Sequence, residues 1–273
     1  LAHDRTATLA LPASAPDTGH AGYTKIEDFT WKELLDLDAC TKCGRCHEVC
    51  PARAAGAPLS PRDLILDLRQ WVDEQSGGIA VLDREQRSIT PGADAEIAGD
   101  VIKARTLWSC TTCMACVQTC PVGIEHVPTI VQLRRTLVEE GNMDATLQQA
   151  LQNLAGQGNS FGKSARMRSR WTKKLDTPIK DARKEPVKYL WFVGDYASYD
   201  DRLAENSRLL TRLLTNAGLD FGILYEAEWN SGNDVRRVGE EGLFEQLAEH
   251  NIEALQEAQF EEIFTTDPHS LNA

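Results

Sequence analysis

Two runs of cysteine carry the chemistry of this sequence. The first holds Cys40, Cys43, Cys46 and Cys50 and ends at Pro51; the second holds Cys110, Cys113, Cys116 and Cys120 and ends at Pro121. Both read C-x-x-C-x-x-C-x-x-x-C-P, and together they contain all eight cysteines. Three cysteines in steps of three wrap three corners of a cubane. A fourth, four residues on and just before proline, starts a helix that points away toward a second cubane. The spacing therefore assigns Cys40, Cys43, Cys46 and Cys120 to one [4Fe–4S] cluster, and Cys110, Cys113, Cys116 and Cys50 to the other. Zinc also takes cysteines in fours, but its sites rarely use a third cysteine three residues after a pair and a fourth before proline. Disulfides are disfavoured, because thiols arranged as cluster ligands belong in a reducing compartment.

This is the ligand spacing of two-cluster bacterial ferredoxins. Clusters that exchange a ligand sit close together, so electron transfer between them is the natural chemistry. His47 and His126 lie near the runs. With four thiolates already available to each cluster, both histidines are expected at the surface or behind the ligands.

The whole chain sets limits on that chemistry. Its 273 residues suffice for one to two domains, and 42% hydrophobic with 26% charged residues is ordinary for a globular protein. A net charge of −12 without a basic domain argues against nucleic-acid binding. No apolar run approaches the ~20 residues that span a bilayer, so membrane contact is expected only through a partner. The start lacks a secretory pattern, and a first residue of Leu1 implies a processed or partial chain. The expected location is cytoplasmic, peripheral at the inner face of a membrane through partner subunits.

The elements that must position the cysteines can be read in order. Residues 1–25 are poor in large apolar groups and are expected to form an arm or linker. Residues 26–154 make a helical dicluster domain. Asp28 or Thr30 caps a helix leading to Cys40, and Ser60 with Pro61 opens another whose Leu64, Ile65, Leu68 and Trp71 recur at helical spacing. Residues 79–82 and 87–90 suggest a hairpin, and 94–107 a weak helix. Helices from Pro128 and over 143–154 complete two similar halves, each a cysteine run followed by a helix. Residues 155–187 carry a basic block (Lys163, Arg166, Arg168, Arg170, Lys173 and Lys174) and are expected to be a solvated linker. From 188 the period changes. Strands over 189–193, 221–225 and 262–265 alternate with helices over 201–216 and 243–258, which predicts a parallel sheet in a partial α/β half, 188–273. The fold class is thus α+β, a helical ferredoxin-like domain followed by a partial α/β domain.

Several segments carry a resemblance. Residues 26–32, 34–40, 58–62, 108–113 and 121–126, around the two cysteine runs, resemble iron–sulfur subunits of the heterodisulfide reductase-like group. That group includes subunits of glycolate oxidase, of hydrogenases and of electron-transfer-flavoprotein:quinone reductases. The resemblance implies that the α/β half corresponds to a cysteine-rich domain with a further iron–sulfur site. The cysteines of that site are absent here. Gly194-Asp195 stands for Gly-Cys, Asn230-Ser231-Gly232 for Cys-x-Gly, and Asp267-Pro268-His269-Ser270 for Cys-Pro-x-Cys. Asp195, Asn230, Asp267 and Ser270 are poor cluster ligands, so a degenerate site that ties loops together is expected.

The resulting expectation is a non-catalytic electron-transfer subunit with two [4Fe–4S] clusters. The resemblance implies a place between a dehydrogenase, flavoprotein or hydrogenase and a membrane quinone-linked subunit. The alternative is an assembly subunit whose α/β half binds partners. Ser198, His250 and His269 form no nucleophile–base constellation and are read as ordinary loop or surface residues.

Overall fold

The computed structural model describes residues 22–75 and 95–273. The arm before 22 and the hairpin expected over 79–90 lie outside the described residues. The chain divides into two compact units. One holds the residues up to Asn142 together with Arg237–Gly239, and the other holds Met143–Arg236 and Glu240–Ala273.

The first unit is helical. Helix α1 (Trp31–Ala39) begins at Thr30. The Thr30 hydroxyl accepts from the Glu33 amide at 3.2 Å, and the Glu33 carboxylate accepts from the Thr30 amide at 2.9 Å. This reciprocal cap satisfies two amides that the helix leaves unpaired. Asp28, the other capping candidate, instead accepts from the amides of Thr24 and Lys25. The first cysteine run carries two one-turn helices, α2 (Arg45–Glu48) and α3 (Pro51–Ala54). Helix α4 (Pro61–Gln75) follows, with the Ser60 hydroxyl accepting from the Asp63 amide. The helix expected over 94–107 is confined to α5 (Ala104–Trp108). Before it, Ala98 and Ile102 form an isolated bridge around Gly99. The second run carries α6 (Ala115–Thr119), and α7 (His126–Glu139) starts two residues before Pro128.

Leu64, Ile65 and Leu68 of α4 pack with Ile130, Leu133 and Leu137 of α7 and with Leu37, Ile97, Leu107 and Ile124. Burying each such side chain contributes about 1.5–3 kcal/mol before chain entropy is counted. This core lies directly beneath the cysteines. Cys50 and Cys120 are part of it, while Cys46 and Cys116 pack with Val117, Val127 and Val131.

The second unit opens with α8 (Ala145–Gln157), which closes on Gly158 at φ 63°. A Cβ on Gly158 would lie 2.4 Å from the Trp229 ring, so the close approach as well as the backbone requires glycine. Residues 155–187 are not a solvated linker. Arg168 and Trp171 are buried, and Trp171 packs edge-on against Trp191. The segment's basic residues suggested exposure, but its Trp171, Ile179 and Ala182 enter the core of this unit. It also supplies β1 (Lys180–Asp181), a strand not expected from its two residues.

With β2 (Val187–Phe192), β3 (Phe221–Ile223) and β4 (Phe260–Thr265), β1 forms a parallel sheet in the order β1-β3-β2-β4. Short α9 (Asp195–Tyr199) follows β2 and leads to α10 (Asp201–Asn216), capped by Asp200. Helices α11 (Asn233–Val238) and α12 (Glu241–Glu257) precede β4, and α13 (Pro268–Asn272) follows it, capped by Asp267. The alternation expected from the sequence is present, with all pairings parallel.

Candidate iron–sulfur centre

The cysteines surround two cavities. Cys40, Cys43, Cys46 and Cys120 line one, together with Lys42, Arg62, Ile124 and His126. Cys50, Cys110, Cys113 and Cys116 line the other, with Leu59, Met114, Val127 and Ile130. Each set takes three thiols from one run and one from the other. In each, one thiol is exposed (Cys43, Cys113), one is half-buried (Cys40, Cys110) and two are buried. Among the described residues, no three His, Cys, Asp or Glu side chains are spaced to hold a single metal ion. The thiols stand around spaces rather than about a point.

Local backbone conformation explains the wrapping. Lys42 (φ 58°) and Gly44 (φ 79°) are left-handed in the first loop, and Thr112 (φ 53°) and Met114 (φ 64°) are left-handed at the matching places in the second. Such residues cost free energy unless their surroundings hold them, and they cluster at functional sites. They bring amides onto sulfur. The Thr112 amide donates to Cys110 Sγ at 3.3 Å, and the Ile124 amide donates to Cys120 Sγ at 3.4 Å. The Arg45 amide is the main influence holding the exposed Cys43 thiol below its ordinary pKa. Burial and the neighbouring thiols push Cys46 up to about 11, and Cys116 is raised further for the same reasons. Thiols held this way ionise when a cation joins them. An all-sulfur donor set around a cavity, with amides facing the sulfurs, fits an iron–sulfur cluster.

Two polar residues on α7 stand beside the cysteines: His126 lines the first cavity, and Arg134 bonds the backbone of Cys110. His126 is buried rather than at the surface. Its Nδ1 has no partner among the described residues, and burial lowers its pKa to about 4, so the ring is neutral near pH 7. Arg134 is also buried, and its guanidinium donates to the Cys110 carbonyl at 2.6 Å. His126 takes the second of its two expected places, behind the ligands; Arg134 was not singled out, although two consecutive arginines inside an apolar helix are a signal. His47 shares a 2.7 Å hydrogen bond with Ser60 and lines neither cavity.

The second unit brings together the positions where the resemblance implied lost cysteines. The Asp195 carboxylate accepts from Arg168 Nη2 at 2.5 Å, from the Ser160 amide at 3.0 Å and from Asn230 Nδ2 at 2.8 Å. Arg168 Nη1 donates to Glu228 at 2.8 Å, and Glu228 accepts from the amides of Val193 and Gly194. Asp267 accepts from the Ser270 hydroxyl at 2.7 Å, and a Cβ on Gly194 would lie 2.8 Å from its carboxylate. Hydrogen bonds thus join the loops after β2 and β3, while Asp267 and Ser270 bond each other in the loop after β4, close against Gly194. Arg168 and Glu228 are the members that the sequence reading missed. Ser198 donates to the Gly194 carbonyl, His250 stacks on Trp229, and His269 contacts Asp234 at 2.8 Å.

Comparison with known proteins agrees with this geometry. Residues 39–124 match the family model of the 4Fe-4S dicluster domain. The chain is 39% identical to a probable iron–sulfur-binding oxidoreductase of Bacillus subtilis, over 92% of this chain and 40% of that protein. It is 35% identical to the EtfAB:quinone oxidoreductase of Syntrophomonas wolfei, over 92% of this chain and 38% of that protein. It is 34% identical to one of the subunits of the dihydromethanophenazine:CoB–CoM heterodisulfide reductase of Methanosarcina barkeri, over 84% of this chain and 54% of that protein. The chain thus spans about two-fifths of the length of the first two relatives and about half of the third. Residues 39–124 are thus a 4Fe-4S dicluster domain, and the chain is homologous to iron–sulfur oxidoreductases, among them an EtfAB:quinone oxidoreductase and a heterodisulfide reductase subunit.

Proposed function

We propose that the chain is an electron-transfer subunit holding two [4Fe–4S] clusters, one in each cysteine-lined cavity. The carrying observation is the exchange of thiols: Cys120 completes the set of the first run, and Cys50 completes the set of the second. When bound, such clusters take up and release single electrons. The protein's part is to hold eight thiolates, aim amides at sulfur and shield one side with the apolar core. Cys43 and Cys113 are exposed, one at each cavity, which supports one face for entry and one for exit of electrons.

The relatives' names, an EtfAB:quinone oxidoreductase and a heterodisulfide reductase subunit, support a place in a redox complex; within it we put the chain between a dehydrogenase, flavoprotein or hydrogenase and a membrane quinone-linked subunit. No helix of the described residues is long and apolar enough to cross a membrane. We therefore assign contact with the inner membrane face to a partner. The second unit acts as a docking and structural half, because its former ligand positions are occupied by hydrogen-bonded Asp195, Asn230, Asp267 and Ser270.

Anaerobic purification with iron analysis and EPR tests the reading. About eight iron atoms per chain and two reducible cluster signals are expected for two such clusters. One or two iron atoms without a cluster signal after reduction would overturn it. Cys43→Ala should abolish electron flow in a complex that still assembles. Failure of assembly would favour a scaffold role instead.

A further inference from the structure

We infer that Arg134 is the residue that sets the reduction potential of the second cluster, raising it by an uncompensated buried charge. This rests on the proposed pair of clusters. The residue is 4% exposed, and all its hydrogen bonds run to backbone carbonyls. Nε and Nη2 donate to Leu107 at 3.1 and 2.8 Å, Nη2 also to Cys110 at 2.6 Å, and Nη1 to Arg237 at 2.9 Å. The Trp108 ring lies 5.2 Å from the guanidinium carbon. Among the described residues, no carboxylate pairs with it.

A buried guanidinium is costly without an anion. Its charge is not titrated away, because arginine stays protonated in proteins. The nearest place for compensating negative charge is the thiolate set of the second cavity, through Cys110. One-electron reduction adds a further negative charge there, which a fixed cation in a low-dielectric setting favours.

The first cavity is different. Arg62 lines it, but that side chain is about a third exposed and pairs with Asp63 at 2.9 Å. Lys42 at its rim and Arg45 beside Cys43 are exposed, so solvent screens both. The two clusters therefore share a ligand pattern and differ in the charge behind it.

The test is an EPR-monitored redox titration of the full anaerobic protein, with dithionite as reductant. The step belonging to the second cluster is identified by the signal that Cys113→Ser alters. Arg134→Gln should lower the reduced-to-oxidised ratio of that cluster at least tenfold at a fixed potential, equivalent to about 59 mV for one electron. Arg134→Lys should retain most of the wild-type value, and Arg62→Gln should leave the second step in place.

If Arg134→Gln does not load iron, Trp108→Glu decides, because it sets a carboxylate against the guanidinium and should shift the same step in the same direction. An unmoved second step in the variant that loads, or equal movement of both steps, overturns the inference. A wild-type chain without two reducible signals overturns the two-cluster reading itself.

Discussion

The two units treat buried polar groups in opposite ways. In the first, four thiols converge on each cavity with little to satisfy them but one another and a few amides. In the second, Asp195 and Glu228 are buried more deeply than any of the thiols, yet they have Arg168, Ser160, Asn230 and two amides as partners. A buried ion pair is stable only when its remaining atoms are also bonded, and this network meets that condition. A set of thiols around a space, two of them buried, does not, and the proposed clusters would complete it. The difference separates a site built to hold a cofactor from one that holds only itself.

The most direct way to break the comparison is through the exchanged ligands. Cys50→Ala should cost about half of the iron, and the lost signal should be the one that Cys113→Ser alters, although Cys50 lies in the other run. Loss of the signal belonging to Cys43 instead would refute the thiol exchange. In the second unit, Arg168→Met leaves two carboxylates buried without their shared cation. That should destabilise the unit by about 3–5 kcal/mol in urea unfolding, with iron content unchanged. A variant as stable as wild type would mean that the network is not closed, and that its acids remain open to a ligand.

His126 sharpens the comparison on the cavity side. Its folded pKa of about 4 lies below the ordinary 6.5, so the unfolded chain takes up the proton first. Stability is full above about pH 6.5 and is lost as pH falls toward 4, by an amount on the order of 3 kcal/mol. His126→Gln should flatten that acid limb in urea midpoints measured between pH 7 and 4.5. An unchanged limb would place the sensitivity elsewhere.

The cysteine sets were legible because ligand spacing is a local property, fixed within a dozen residues. The parallel sheet was legible because apolar strands alternate with long periodic helices. What escaped was charge whose partner is distant in the chain. Arg168 reads as one more cation in a basic block until Asp195 and Glu228, 27 and 60 residues on, close around it. Arg134 received no role from the sequence, because nothing local says that carbonyls from Leu107 and Cys110 will receive it. Strand β1 escaped for a related reason, since two residues carry no period and only pairing with β3 defines them.

The smallest predicted effect asks whether the internal repeat is structural as well as sequential. Gly44 and Met114 occupy matching places with φ of 79° and 64°. A Cβ on Gly44 would meet only Arg62 Nη1, at 4.0 Å, so space is not what demands glycine there. The cost of a side chain is backbone strain alone, about 1 kcal/mol. Gly44→Ala should therefore lower stability by about that amount. In the second loop the same strain is already carried by Met114, which packs beside Cys46, Cys116 and Val131. Comparing Met114→Ala with Met114→Gly removes the packing contribution from both and leaves the backbone difference. It should have the same sign and size as the Gly44 pair if both loops wrap their thiols alike. A difference near zero in the second loop would mean that Met114 relaxes when its side chain is cut, and that only the first loop is held in this conformation by the fold itself.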